Sequence, residues 1–168
     1  MPRNAAERQP AIGRARWVAT LWLAISLSAL AGEDRHAWPE GSAMHALYLQ
    51  GERLEDIRAE LGQAHAGLLD AFGDDPAAPS PLARAVANHQ ASWLAYVHAD
   101  CELAGTLTGA DGHWPVVHGL GCQIEAMADR LEVVRAATAC LHGLAPEAYR
   151  FERLECLGNL VAWSQEGN

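Results

Sequence analysis

From residue 43 onward the apolar positions of this chain recur at helical spacing. Leu47, Leu54, Leu61 and Leu68 fall every seven residues between Ala43 and Phe72, with Ile57 and Ala64 in the intervening turns, so one apolar stripe faces a partner. Glu52, Glu55, Asp56, Arg58 and Glu60 fall mostly on the wet side. Gly62 and Gly67 interrupt this helix, each either weakening it by about 1 kcal/mol relative to alanine or permitting close packing. The run Gly73 to Pro81 ends it, because its two aspartates and three prolines do not continue a helix.

A second helix is predicted to start with Ser80 as its cap and Pro81 at its first position. Leu82, Val86, Trp93, Val97 and Ala104 mark its inner face, and Gly105 is its expected stop. Thr106 to Gly121, glycine-rich and carrying His113, Trp114, Pro115 and His118, reads as an irregular loop. Ile124, Met127, Leu131, Val134, Thr138 and Leu141 then define a third helix by alternating steps of three and four, with Glu125, Asp129, Glu132 and Arg135 on its polar face. After His142-Gly143 and Pro146, a fourth is carried by Phe151, Leu154, Leu157, Leu160 and Val161. The expected fold is all-α, a disulfide-stapled up-and-down bundle of three to four helices over residues 43–168.

The disulfides enter through the start of the chain. Arg14 and Arg16 precede about fifteen mostly apolar residues, Trp17 to Ala31, ending in Ala29-Leu30-Ala31 before Gly32-Glu33-Asp34-Arg35. That pattern matches a secretory signal peptide cleaved after Ala31, with residues 32–42 as an exposed lead-in. An uncleaved membrane anchor is the competing reading, although a bilayer span needs nearer twenty apolar residues. No cysteine follows the apolar stretch, which argues against a lipoprotein.

Export gives meaning to Cys101, Cys122, Cys140 and Cys156, which lack the Cys-x-x-Cys spacing of zinc or redox sites. Cys122 and Cys140 lie about 27 Å apart along the third helix and do not bond to each other. Two connectivities remain. Cys101 with Cys122 and Cys140 with Cys156 is preferred, because the alternative requires each bond to cross the length of the bundle.

Beyond residue 31 the chain holds 8 basic and 20 acidic residues, a net charge of −12. Such a field disfavours nucleic acid and anionic lipid and favours cationic partners. Lysine is absent, which removes Schiff-base and phosphate-loop lysine chemistry. The eight histidines form no His-x-x-x-His pair. His113 and His118 with Asp111 raise a zinc or copper alternative, but solvated loop histidines are the commoner explanation. The expectation is a protein that is not an enzyme and holds no cofactor or metal.

The segment HQASWLAYVHADCE, carrying Gln90, Trp93, Leu94, Tyr96, Asp100, Cys101 and Glu102, is followed by a glycine-bearing stretch, Cys122 and Arg130-Leu131. This constellation resembles the LprI-like lysozyme inhibitor family over about residues 47–135. The chain has Val97-His98 where that family shows an Arg-Asp pair, and lacks the cysteines and Asp-x-x-Leu-Asn pattern of the family's first helix. The resemblance implies an exported, periplasmic or secreted helical domain with no stable membrane insertion after signal cleavage, whose partner is a cationic lysozyme. An envelope structural or adaptor protein that binds an envelope partner is the alternative.

Within that reading, Asp111 to His118 is the contact, inserted as a loop into the enzyme cleft. Trp114 serves as an apolar anchor, or else folds back as a lid on the core, and Asp111 meets an arginine. The motif itself reads as structural. Gln90 and Trp93 share one helical surface, the indole filling the core and the amide satisfying a buried backbone group or the indole N–H. Asp100 or Glu102 pairs with Arg130 once Cys101 and Cys122 join the two helices.

Overall fold

The computed structural model describes residues 38–145, 148 and 150–161, so the expected leader and residues 32–37 lie outside the described residues. Four helices follow in order: α1 (Ala43–Asp70), α2 (Pro81–Leu107), α3 (Trp114–Gly143) and a short α4 (Arg150–Leu157) that tightens into a 3₁₀ turn over Gly158–Leu160. Local chemistry sets the first boundaries, at Ser80 and Pro81 as the sequence predicts and at Ser42 as well. Ser42 caps α1, its hydroxyl accepting from the His45 amide at 3.2 Å, and Ser80 caps α2 by accepting from the Ala83 amide at 3.2 Å ahead of Pro81. Between them, Asp74 accepts from the Ser80 amide at 2.9 Å, and these hydrogen bonds with Ser80 hold the Asp74 carboxyl below its ordinary range.

The helices are arranged around α3. Both α1 and α2 pack extensively on it and scarcely touch one another. Contacts climb together along α1 and α3, with Arg58 near Gln123 and Ala64 and Gly67 beside Thr138 and His142, so these two run parallel. The heptad leucines predicted for α1 supply the shared core. Leu54, Leu61 and Leu68 are buried against Ile124, Met127, Leu131, Val134 and Ala137, and Leu157 and Leu160 close the cluster from the C-terminal segment. Each leucine so buried contributes roughly 2 kcal/mol. Leu47 stays half-buried, because the core begins two turns further in, at Leu54.

Two disulfides staple the bundle, Cys101–Cys122 and Cys140–Cys156, each with Cα atoms 5.5 Å apart. This is the preferred neighbour pairing. The first joins α2 to α3, and the second ties α4 to the far end of α3. Among the described residues no helix is long and apolar enough to cross a membrane.

The structure corrects the reading of Thr106 to Gly121. α2 continues two residues past Gly105, and α3 begins at Trp114, so only residues 108–113 form the turn, which uses the positive φ of Gly109 and Gly112. Pro115 starts a helix here instead of marking a loop, since a proline in the first turn gives up no intrahelical hydrogen bond. Gly105 and Gly119 bring the two backbones together at the crossing. A Cβ at Gly105 would collide with the Pro115 carbonyl oxygen, and one at Gly119 would lie 3.0 Å from the Cys101 carbonyl oxygen.

Two further positions differ. Ala104 is exposed, the buried line of α2 being Ala83, Gln90, Val97, Cys101 and Gly105. α4 ends at Leu157, with Phe151 77% exposed on its outer side and Val161 beyond the last turn.

The glycines of α1 have open space where a side chain would stand, unlike Gly105. Gly62→Ala and Gly67→Ala should each stabilise the fold by about 1 kcal/mol, whereas Gly105→Ala should destabilise it by about 2 kcal/mol or more. Urea midpoints of the three variants measure this directly; equal shifts would show that the crossing tolerates a methyl group.

Candidate functional site

Two groupings of side chains stand out from the bundle. One is a buried polar cluster around Arg130, and the other is the exposed end of the α2–α3 hairpin.

Arg130 is only 7% exposed, and among the described residues it has no carboxylate partner. Its hydrogen-bonding capacity is met by neutral groups. Nε donates to Gln90 Oε1 at 3.1 Å, Nη1 donates to the Leu160 carbonyl oxygen at 2.7 Å, and Nη2 lies 3.1 Å from His89 Nδ1. The guanidinium also sits over the Trp93 ring, 5.3 Å from its centroid. Because arginine only donates, His89 Nδ1 is the acceptor and the imidazole is neutral with its proton on Nε2. Burial lowers the Arg130 pKa from its ordinary value, yet a guanidinium keeps its proton.

Two histidines feel this buried charge. Burial, and then Arg130, lower the pKa of His89. His65 from α1 is likewise lowered, first by burial and further by Arg130, with a hydrogen bond to the Val86 backbone acting the other way. His65 Nε2 is buried without a hydrogen-bond partner. It borders an open groove of about 440 Å³ between α1 and α2, whose lining includes Arg58, Gln90, Leu94 and Met127.

The sequence expectations for this motif are met in part. Gln90 is buried as expected, but its amide serves Arg130 instead of a backbone group or the indole N–H. Trp93 is half-buried at the edge of the core, where its ring face carries the guanidinium. Asp100 and Glu102 do not pair with Arg130; both are exposed. The register explains this, because Cys101 is opposite Cys122, and eight residues onward along α3 is matched by eight residues back along α2, at Trp93. Tyr96 is 64% exposed and contributes nothing to the cluster. His89 and Leu160 were missed as members, since neither a histidine beside the motif nor a backbone carbonyl 30 residues away carries a distinguishing pattern.

At the hairpin end, Asp111 is exposed in the turn, and Trp114 and His118 occupy the first turns of α3. Trp114 is 38% exposed and stacks obliquely near His118, ring centroids 6.2 Å apart, one helical turn on. It does not cover the main core. Leu103, Leu107 and Val116, none of them anticipated, add exposed apolar surface around the same end. Asp111, His113 and His118 form no metal-holding group of three or more His, Cys, Asp or Glu side chains among the described residues.

Comparison with known protein families, curated proteins and solved structures finds no match to this chain. The functional reading therefore rests on the residues themselves. The Arg130 cluster spends its polar groups on one another and joins α2, α3 and the C-terminal segment, which is the work of a structural junction. The hairpin end is braced by a disulfide and leaves apolar side chains exposed to solvent.

Removing the guanidinium should expose that junction. Arg130→Met, which keeps the apolar stem but leaves the Gln90 and Leu160 oxygens without a donor, is expected to cost about 2–4 kcal/mol in urea denaturation. Arg130→Lys should recover less than half, because an ammonium on a flexible stem does not reproduce a planar fork over three acceptors. Full recovery by lysine would reduce the site to a simple positive charge.

Proposed function

We propose that this chain is an exported, non-enzymatic binding protein that engages a cationic lysozyme through the end of its α2–α3 hairpin. The observation that carries the reading is the solvent exposure of Leu107, Leu103, Val116 and Trp114, at 75%, 57%, 53% and 38%, around one disulfide-braced helical end. Apolar side chains held on a rigid support bind with little ordering cost, which favours recognition over a structural use. The acidic balance beyond residue 31 supplies the attraction to a basic enzyme and speeds encounter.

Export agrees with the two disulfides, which persist in oxidising compartments such as the periplasm or the extracellular space. The resemblance of Gln90, Trp93, Cys101, Cys122 and Arg130 to the LprI-like pattern names the partner class. The contact differs in form from an inserted loop. A short turn carrying the exposed Asp111 between two helix ends makes a blunt wedge, with Trp114 and Leu107 as its proposed apolar anchors and Asp111 as the proposed partner of an arginine.

The test is inhibition of c-type, g-type and i-type lysozymes by the oxidised protein, titrated at low and moderate salt. Stoichiometric inhibition of at least one class that weakens with salt is expected, and Trp114→Ala and Leu107→Asp should each weaken it tenfold or more without loss of thermal stability. Absence of inhibition in all three classes by folded protein would overturn the reading and direct attention to an envelope partner.

A further inference from the structure

We propose that the contact between His89 and Arg130 is an acid-sensitive clasp, which holds the C-terminal segment 150–161 on α3 near neutral pH and loosens it in acid. The geometry requires a neutral imidazole. Arg130 Nη2 stands 3.1 Å from His89 Nδ1, and that nitrogen accepts the hydrogen bond only while it carries no proton. Protonation replaces the bond by two positive charges at the same separation, in a half-buried site where screening is weak.

Among the described residues no ion pair compensates a charge on His89. From α3 it meets the Arg130 guanidinium, which also holds the Leu160 carbonyl of the C-terminal turn and whose field reaches His65 on α1. Among the described residues no carboxylate pairs with Arg130, and the lowered pKa of His89 follows from burial and then from that charge. The neutral form is thus favoured by the fold. Stability drawn from it is complete above the ordinary histidine value near 6.5 and falls as the pH drops below it, because the loosened state takes up the proton first.

The loss falls on the C-terminal segment because the other elements are held more firmly. α2 is fixed by the Gly105–Gly119 crossing and by the Cys101–Cys122 bond. The eight residues of α4 and the turn after it are joined to α3 through two buried leucines, the Leu160 carbonyl and Cys140–Cys156, among other contacts. The least supported unit opens first. Pushed away from His89⁺, the guanidinium gives up the Leu160 carbonyl, and Leu157 and Leu160 withdraw from the core cluster they close. The disulfide keeps the loosened segment attached, so the change is reversible and leaves an apolar face of α3 open to solvent.

Hydrogen–deuterium exchange of the oxidised protein at pH 7.5 and pH 5.0, expressed as protection factors, tests this. Protection over residues 150–161 should fall on the order of tenfold at pH 5.0, with residues 97–107 changing far less. His89→Gln, which retains an acceptor and does not titrate, should hold its protection at both pH values, while His65→Gln should keep the acid response. Unchanged protection in the parent protein, an equal loss in His89→Gln, or loss of the response in His65→Gln alone would overturn the proposal.

Discussion

The α2–α3 crossing is the contact on which the remaining structure depends, and it is made by backbone against backbone. Gly105 faces the Pro115 carbonyl and Gly119 faces the Cys101 carbonyl, so the two helices come closer than any pair of side chains would allow. Cys101–Cys122 sits within the same contact. A close crossing with a covalent bond at its centre has little freedom to slide, and the register it sets decides which residues meet further up α3. Trp93 and Gln90 come opposite Arg130 because Cys101 is opposite Cys122.

That register makes a buried arginine tolerable. A guanidinium withdrawn from water without a counter-ion is costly unless its donors are used and its charge is met by polarisable groups. Gln90, His89 and the Leu160 carbonyl use the donors, and the face of Trp93 meets the charge. Each acceptor comes from a different stretch of chain than Arg130 itself. The guanidinium is therefore a junction that forms only when α2, α3 and the last turn are all in place, which gives the fold specificity beyond what its leucines supply.

Most of the fold was legible in the pattern of apolar residues. The heptad leucines of α1, the Ser80 cap and the alternating spacing of α3 each follow from local rules, and the distance along one helix excluded one disulfide pairing, leaving the neighbour pairing as the preferred one of two. The glycine-rich segment was misread because Gly105 and Gly119 have two meanings. Glycine ends a helix when its backbone adopts a positive φ, and packs helices together when a neighbour excludes a Cβ. Composition does not separate the two, but the spacing did carry a signal. Val117 and Leu120 continue the steps of three and four that lead to Ile124, so the helix could have been extended to its true start.

The candidate site was less legible, and for a different reason. The motif of Gln90, Trp93 and Arg130 is readable in the sequence, but Asp100 and Glu102, the acids that flank Cys101, are not the partners of Arg130. The constraint already available from the Cys101–Cys122 pairing placed those acids a full two turns away. What remained invisible was the Leu160 carbonyl, since a main-chain acceptor leaves no mark on the sequence.

The two regions divide the labour of the molecule along α3. Trp114 and Cys140 lie about 39 Å apart on that helix, so the hairpin end and the clasped segment share no side chain. The hairpin end owes its position to backbone contact and a disulfide, neither of which responds to protons between neutral and mildly acidic pH. The C-terminal segment owes its position to Leu157, Leu160, Cys140–Cys156 and the Leu160 carbonyl, which accepts from the same guanidinium that donates to His89. Under the proposed clasp, a change in acidity acts on the second region through His89, away from the Gly105–Gly119 crossing. On the proposed function, a partner contact at the braced end would therefore stay formed when the proposed clasp at the other end loosens.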